Sequence, residues 1–156
     1  MAARSCPEAA AGTAAAVVVE ALSWVGTPYR HQAAQKGVGC DCLGLVRGVW
    51  RALYGSELER PGAYAPDWAE AGGAERLLEG VRRHFLQHGQ LHPTDPGNLL
   101  LFRWKPGLPA KHLGIMVADG RFVHAYEGAG AVAVSALVPQ WRARITARFA
   151  FPDISR

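Results

Sequence analysis

The chain has 156 residues, 49% of them hydrophobic, and a formal net charge of +4 at pH 7. This length suits one globular domain with one core and leaves too few residues for two domains of ordinary size. The positive charge lies mostly in residues 76–83 and 142–148, and neither stretch is a block of like charge typical of a nucleic-acid-binding arm. The basic balance therefore favours anionic partners only weakly, and we expect no specific nucleic-acid partner.

The cysteines and the N-terminal segment indicate in which cellular compartment the protein is made. Three cysteines (Cys6, Cys40 and Cys42) are too few for a disulfide scaffold, so we expect reduced thiols. No run of 18 apolar residues exists, and we predict no membrane insertion. The early Ala/Val run resembles a secretory signal, but Glu8 and Glu20 flank it and its apolar spacing continues as in a helix. We predict the first helix of the domain, in a protein made in the cytoplasm without a signal peptide.

Helices come first along the chain. The apolar periodicity predicts a helix over residues 14–25, a second from Cys42 to the stop at Gly55, and a third over residues 69–88. Apolar residues of the second helix recur on one face, as in a helix that packs against a core. Asp41 precedes this helix and is a natural N-cap.

Strands follow the helices. The Gly- and Pro-containing stretches 26–41 and 56–68 are predicted as irregular segments. Strand-like runs bounded by turn residues then occupy residues 97–104, 112–118, 121–127, 131–137 and 145–151. Helices followed by an antiparallel meander predict an α+β domain, with the helices packed on one side of a sheet. We expect one domain over residues 1–156, with its core in about 14–151.

Cys42 occupies a distinctive place in the segment "GVGCDCLGLVRG", residues 37–48. At the first turn of a helix, unpaired backbone N–H groups and the positive end of the helix dipole surround its sulfur. This environment predicts a lowered thiol pKa and a nucleophilic role. Two other interpretations stay open: a small buried hydrophobic residue, or a zinc ligand together with Cys40 and two histidines. For Cys40 itself, packing is the favoured role.

A nucleophilic cysteine needs an imidazole that a third polar group orients. His112 and His124 lie in adjacent strand-like runs. A two-residue turn would put them on opposite faces, whereas a three-residue loop over 118–120 pairs Gly114 with His124 and puts both histidines on one face. We predict the second register, with a type I turn ending in a left-handed glycine. Taken singly, a role as a solvent-facing residue at a strand start also explains His112. A role as a hydrogen-bonded core residue also explains His124.

Five motifs resemble, in order, the landmarks of the NlpC/P60 cysteine peptidases. They are "GTPYR" (26–30), "CDCLGLV" (40–46), "PGNLLLF" (96–102), "HLGIMV" (112–117) and "FVHA" (122–125). Members of this family are papain-like hydrolases that cut peptidoglycan stem peptides, typically between D-glutamate and diaminopimelate. The resemblance covers about residues 14–151 and implies a papain-like α+β fold. "GVGCDCLGLVRG" is most similar to a short branch found in phage tails and gene transfer agents.

The resemblance implies a role for each matching residue. Cys42 would be the nucleophile, His112 the general base, and His124 the residue that orients the base. Tyr29 matches the tyrosine of the family's "PYxW" segment, which lines the site. Asp41 would contact the free amine of a stem peptide besides capping the helix. The backbone N–H of Cys42 would donate to the oxyanion, and no metal or organic cofactor is implied.

Three departures from the family pattern leave the substrate open. The usual Ser after the cysteine is Leu43, which removes a polar contact. The usual Trp-Gly-Gly after the tyrosine is His31-Gln32-Ala33, and the usual Gly-Asp before the first strand is Gly97-Asn98. None of these changes touches the Cys–His–His set.

The expected function is hydrolysis of amide bonds in peptidoglycan stem peptides through an acyl-enzyme. The expected setting is a phage-like tail particle, with tail proteins as partners and the target cell envelope as the place of action. Two alternatives stay open. One is a papain-like amidase or acyltransferase that acts on another substrate, and the other is a structural tail-tip or assembly protein built on a peptidase scaffold.

Overall fold

The computed structural model of this chain describes residues 7–58, 75–87, 92 and 94–154. Its helices are α1 (Pro7–Ser23), α2 (Cys42–Tyr54), α3 (Arg76–His84) and α4 (Pro139–Arg142). Its strands are β1 (Ala34–Gln35), β2 (Gly39–Cys40), β3 (Leu99–Phe102), β4 (His112–Met116), β5 (Arg121–Tyr126), β6 (Ala131–Ala136) and β7 (Ile145–Phe149). Within the described ranges, no helix is long and apolar enough to cross a membrane.

The predicted α+β architecture is confirmed. Strands β3–β7 form an antiparallel sheet in the order β6-β5-β4-β3-β7. Alternate residues of its strands, such as Leu113 and Ile115, pack with α1, α2 and α3 into the main core. The opposite face carries a smaller apolar cluster that includes Phe102 and Phe122 and is covered by Trp141 of α4. The central strands β3 and β4 are therefore buried on both faces.

The prediction for α2 is confirmed at both ends. The Asp41 carboxylate accepts a hydrogen bond from the backbone N–H of Gly44 at 2.8 Å, which satisfies one of the free donors of the first turn. Gly55 ends the helix with φ 72°, and its N–H bonds to the Arg51 carbonyl. The intervening apolar stripe is buried, so the helix start is held in a fixed position against the sheet.

Two helices and one loop differ from the sequence prediction. Helix α1 begins at Pro7 and ends at Ser23, and the segment predicted as a loop over 26–41 contains the short β1–β2 hairpin. Helix α3 ends at His84, because Leu86 exchanges two backbone hydrogen bonds with Ala150 instead of continuing the helix. Residues 69–74 and 88 of the predicted third helix lie outside the described residues.

The predicted register between β4 and β5 is confirmed, although the turn type is wrong. The pairs Ile115–Val123 and Met116–Phe122 put Gly114 opposite His124. Asp119 and Gly120 both have positive φ, 61° and 66°, which is typical of a type I′ turn rather than a type I turn. The primed turn matches the twist of the strands. With a two-residue turn, the strand before the turn has one residue more than the strand after it. A β-bulge accommodates this residue, since Val117 and Ala118 both bond to Arg121.

Candidate active site

A pocket of about 150 Å³ lies where the start of α2 meets the start of β4. It is lined by Tyr29, His31, Asp41, Cys42, Leu43, Leu77, Trp104, Lys111, His112, Ala125, Tyr126 and Glu127. Four of the five residues predicted for the site, namely Tyr29, Asp41, Cys42 and His112, therefore share this pocket. The fifth, His124, bonds to His112 from behind the pocket wall.

Cys42 is the first residue of α2, and its thiol is directed at the end of the sheet. The thiol donates a hydrogen bond to the backbone carbonyl of Lys111, with a sulfur–oxygen distance of 3.8 Å. Lys111 immediately precedes His112, so this contact joins the helix start to the strand that carries the imidazole. Cys42 is a free, partly buried cysteine.

The expected low pKa of Cys42 is wrong for this structure. Burial raises the pKa of the thiol to about 12, and the neighbouring Asp41 carboxylate raises it further. The backbone N–H groups of Leu113 and Leu43 lower the pKa, but their effect is smaller than the cost of removing a thiolate from water. The helix start therefore does not outweigh burial, and Cys42 is a neutral thiol at pH 7.

The two histidines form a hydrogen-bonded chain. His112 Nε2 lies 2.8 Å from His124 Nδ1, and His124 Nε2 lies 2.8 Å from the Ser135 hydroxyl on β6. Both rings are buried, with 4% exposure for His112 and 1% for His124. Since Nε2 of His112 is committed to His124, Nδ1 is the nitrogen left to exchange a proton with the Cys42 thiol.

Aromatic rings enclose this histidine chain. Trp104 stacks on His112 with ring centroids 5.3 Å apart, and Tyr126 stacks on His124 at 5.6 Å. Trp141 meets both imidazoles. Burial lowers the pKa of His112 well below 6.5, with His124 as a second cause, and lowers the pKa of His124 to about 4. Both imidazoles are therefore neutral at pH 7, and a neutral imidazole is the form that can accept a proton.

The resulting pair is a neutral thiol beside a neutral imidazole. Such a pair attacks an electrophile only if the proton leaves the sulfur as the new bond forms, which requires a base in the pocket, and His112 is the imidazole of the histidine chain that lines it. A proton taken up by His112 would make the ring cationic, and His124 would stabilise that cation by accepting its Nε2–H. This arrangement supports acyl transfer by a cysteine.

The Asp41 carboxylate holds two segments together. Its Oδ1 accepts from Gly44 of α2, and its Oδ2 accepts from the backbone N–H of Gln32 at 2.8 Å. His31 Nδ1 lies 3.9 Å from Oδ2. Asp41 thus fixes the pocket edge to the helix that carries Cys42, while its predicted contact with a substrate amine stays a prediction.

Tyr29 lines the pocket near Cys42. Its backbone N–H donates to the Gly130 carbonyl at 2.9 Å, which ties the tyrosine to the start of β6. Burial raises the pKa of its hydroxyl to about 12, and the adjacent Cys42 is the second cause. Tyr29 is therefore a neutral hydrogen-bonding group beside the sulfur, as the predicted site wall requires.

The departures from the family pattern have visible consequences. Gln32 stands where the family has glycine and adopts φ 66°, a region that favours glycine. Its bond to Asp41 helps to hold that conformation. Leu43 lines the pocket with an apolar side chain. Asn98 is buried and donates to the His92 carbonyl at 2.8 Å, away from the pocket.

Cys40 is a core residue, as the packing interpretation predicts. It is fully buried, pairs with Ala34 in the β1–β2 hairpin, and burial raises its pKa to about 12. Among the described residues, no group of three His, Cys, Asp or Glu side chains is placed to hold a metal ion. Cys6 lies outside the described residues.

Two groups of the site were not predicted from sequence. Ser135 ends the histidine chain, and the Lys111 carbonyl accepts a hydrogen bond from the Cys42 thiol. Strand pairing offers a signal for Ser135, because β5–β6 pairing puts Ala133 opposite His124 and Ser135 diagonal to it.

Comparison with known proteins places these features in a family. The model of the NlpC/P60 family matches residues 26–148. The chain is 32% identical over 121 residues to "Murein DD-endopeptidase MepS/Murein LD-carboxypeptidase" of Escherichia coli strain K12, covering 78% of this chain and 54% of the relative. It is 33% identical over 122 residues to a probable endopeptidase of Mycobacterium tuberculosis, covering 76% and 25%. The chain thus spans about half the length of the first relative and a quarter of the second.

A solved structure agrees in fold. The crystal structure of the NlpC/p60 domain of the peptidoglycan hydrolase SagA superposes with a TM-score of 0.56 at 25% identity. The match covers 88% of this chain and 98% of that domain. The papain-like NlpC/P60 fold that the motifs imply is therefore confirmed.

Proposed function

Since the chain belongs to the NlpC/P60 family, we propose that it is a cysteine peptidase that hydrolyses amide bonds in peptidoglycan stem peptides. The observation that carries this proposal is the shared pocket of Cys42 and His112, with His112 bonded to a second buried imidazole. A thiol, a neutral base and an orienting group are the parts that acyl transfer requires.

The reaction proceeds in two halves. Cys42 Sγ attacks the amide carbonyl while its proton passes to His112 Nδ1, and the backbone N–H of Cys42 stabilises the oxyanion. His112 gives the proton to the leaving amine, which breaks the C–N bond and leaves a thioester on Cys42. Water then attacks the thioester while His112 takes a proton from that water. The C–S bond breaks, the carboxylic acid product leaves, and His112 returns the proton to the sulfur, which restores the Cys42 thiol.

The charged groups of the pocket suit a zwitterionic peptide. Asp41, Glu127 and Lys111 are charged residues among those that line the pocket. A stem peptide carries both carboxylates and amines, so residues of both signs in the lining suit such a substrate. We propose the bond between D-glutamate and diaminopimelate as the point of cleavage, with Asp41 and Tyr29 in contact with the substrate.

The experiment is a hydrolysis panel with the purified chain. The substrates are a tripeptide with a D-glutamyl–diaminopimelate bond, and stem peptides with DD and LD bonds, the classes named for the E. coli relative. Mass spectrometry of products identifies the bond. Cleavage of the first peptide by the wild type and not by Cys42→Ala supports the proposal, whereas products indifferent to Cys42→Ala overturn it.

Leu43 favours one alternative enough to test. Its apolar side chain stands in the pocket where the family has a polar serine, so an amidase or acyltransferase acting on a more apolar acyl group is the second candidate. Short acyl amides and thioesters added to the panel distinguish the two candidates. Faster turnover of these compounds than of any stem peptide favours the second.

For the biological setting, we propose delivery by a phage-like tail particle that opens the cell wall of a target cell. The similarity of "GVGCDCLGLVRG" to the tail-associated branch supports this setting, which places the activity in the target envelope and makes tail proteins the partners. Fractionation of the producing cells tests it. The chain should cosediment with tail particles, and its recovery only as free protein contradicts this setting.

A further inference from the structure

Ser135 terminates the hydrogen-bonded chain that begins at the pocket. It lies on β6 opposite Phe122, one diagonal step from His124, and its side chain shares the face of the sheet that carries both histidines. The Ser135 hydroxyl oxygen is 2.8 Å from His124 Nε2, the same separation that joins His124 Nδ1 to His112 Nε2. The two bonds use both nitrogens of His124.

The directions of these two bonds depend on each other. A neutral imidazole has one N–H donor and one acceptor nitrogen. For His112 to take the thiol proton on Nδ1, its own hydrogen must lie on Nε2 and be donated to His124 Nδ1. His124 must then carry its hydrogen on Nε2, and this hydrogen must be donated to an acceptor at the position of Ser135.

The opposite direction would disable the base. If the Ser135 hydroxyl donated to His124 Nε2, the hydrogen of His124 would lie on Nδ1 and be donated to His112 Nε2. His112 would then carry its hydrogen on Nδ1, and that nitrogen would have no lone pair for the thiol proton. The role of Ser135 as acceptor or donor therefore selects the tautomers of both rings.

We propose that Ser135 is a positioning residue whose hydroxyl accepts from His124 and thereby holds His112 in the tautomer that can take the proton of Cys42. This inference rests on the proposed peptidase function. The acceptor role needs no rearrangement during the reaction. When His112 is protonated on both nitrogens, it still donates from Nε2 to His124, and His124 still donates to Ser135.

The surroundings make this partner hard to replace. His124 is 1% exposed, and Tyr126, Phe122 and Trp141 pack around its ring. A buried N–H that loses its acceptor costs free energy, so His124 in Ser135→Ala would move its hydrogen to Nδ1, or exchange between tautomers. Ser135→Thr keeps the hydroxyl on a strand position where a β-branched residue is accommodated.

The first measurement is the tautomer itself, because it does not depend on activity. Imidazole ¹⁵N chemical shifts report which nitrogen of each histidine carries the hydrogen. We expect His112 and His124 in the wild type and in Ser135→Thr to be Nε2–H tautomers at pH 7, and Ser135→Ala to show Nδ1–H His124 or exchange. Unchanged tautomers in Ser135→Ala overturn the proposal, whatever the activity. If no amide is hydrolysed by the wild type, the proposed function fails separately and the tautomer result still decides the role of Ser135.

The second measurement is the split between kcat and KM on the stem peptide. Ser135→Ala should lower kcat by about 10-fold, the size of one hydrogen bond's contribution, with KM within about 2-fold, and Ser135→Thr should restore most of kcat. Ser23→Ala, which removes an exposed hydroxyl bonded to the Glu20 carbonyl, is the matched control and should keep both constants. If Ser135→Ala fails to fold, Ser135→Val serves in its place. An unchanged kcat in an active protein that has lost the Ser135 hydroxyl overturns the proposal.

Discussion

The Cys42 thiol donates to the backbone carbonyl of Lys111, the residue immediately before His112. This bond brings the start of α2 to the start of β4, although the two are almost 70 positions apart in the chain. It also holds Cys42 in the pocket that His112 lines.

Removal of either reacting group should abolish hydrolysis while the fold survives. Cys42→Ala and His112→Ala are each expected to lower kcat/KM on the stem peptide by at least about 1000-fold, since nucleophile and base act as a unit. The double variant should lose little more than either single one. Steady-state kinetics measure these losses, and thermal unfolding checks the fold.

Cys40→Ala is the matched control for Cys42→Ala. The two cysteines are one residue apart, yet Cys40 is fully buried in the core and does not line the pocket. Cys40→Ala should keep kcat/KM within about 3-fold and lose roughly 1 kcal/mol of stability through lost packing. Loss of activity in Cys40→Ala equal to that in Cys42→Ala would contradict the assignment.

Alkylation should reveal the neutral thiol directly. Because burial raises the pKa of Cys42 to about 12, the thiolate fraction is small at pH 7 and increases about tenfold for each pH unit up to that value. In a Cys40→Ala background, the rate of modification of Cys42 by iodoacetamide should rise continuously from pH 7 to 10. Peptide mapping by mass spectrometry measures this rate.

A plateau of the alkylation rate below pH 8 would contradict the neutral pair. Such a plateau would mean that the dipole and backbone N–H groups of the α2 start outweigh burial, as the sequence analysis expected. The Leu113 N–H, which lowers the pKa of the sulfur, would then have the larger effect.

Much of this site follows from sequence because its parts are local. Asp41 caps α2, and Cys42 lies in its first turn. Rules about neighbouring residues describe both positions and the apolar face of the helix. The shared face of His112 and His124 follows from the length of one turn, because register and face are linked by the two-residue period of strands.

The parts that sequence reasoning missed depend on distant packing. The pKa of Cys42 is set by how deeply the helix start is covered, and no spacing rule gives that depth. The His112 ring contacts Trp104 and Trp141, which come from separate segments of the chain. Helix α3 ends early because Leu86 pairs with Ala150, which immediately follows β7.

The buried histidines should make the protein sensitive to mild acid. His124 has a pKa of about 4 in the folded state and about 6.5 in the unfolded state, so the unfolded state binds more protons between these values. The free energy of unfolding should therefore fall as the pH falls from 6.5 to 4, by about 3 kcal/mol for this group. His112, whose pKa is also lowered, adds to the loss in the same direction. Urea unfolding at pH 7, 5.5 and 4.5 measures it.

His124→Gln supplies the control for the acid effect. Glutamine keeps a donor and an acceptor but does not titrate, so this variant should be less stable than the wild type at pH 7 and should lose less stability on acidification. Parallel pH profiles for the two proteins would show that the acid sensitivity comes from other groups.

Gly48 of α2 packs against the side chain of Trp24, the residue that follows α1. A Cβ atom at this position would lie 2.1 Å from the Trp24 ring, and Trp24 is itself buried. Gly48→Ala should therefore destabilise the protein by about 2 kcal/mol, the usual cost of overpacking a core. Urea unfolding gives the change in free energy.

Gly12→Ala is the matched substitution in α1. A Cβ at Gly12 meets nothing within 4 Å, so the change only replaces a poor helix former with a good one and should stabilise the protein by about 0.5–1 kcal/mol. Opposite signs for the two Gly→Ala variants are the expected result. Equal effects would mean that the contact between Gly48 and Trp24 is looser than described.

Asp41 combines a structural role with a predicted substrate contact, and Asp41→Asn separates them. The Asn oxygen can still accept from Gly44, but the amide NH₂ would face the Gln32 N–H, where Oδ2 now accepts. Two donors then meet, and the stability loss should be about 1–2 kcal/mol. Asp119→Asn, in an exposed turn where asparagine tolerates positive φ, is the matched control and should change nothing measurable.

The substrate contact of Asp41 has a separate kinetic signature. If the carboxylate binds the free amine of the stem peptide, Asp41→Asn should raise KM by about 10-fold for the free peptide and leave kcat nearly unchanged, because a lost charge pair weakens ground-state and transition-state binding alike. An N-acetylated peptide lacks the ammonium, so wild type and variant should have similar KM values for it. An equal rise of KM for both peptides would instead mean that Asp41 acts only by holding Gln32 and the start of α2 in place.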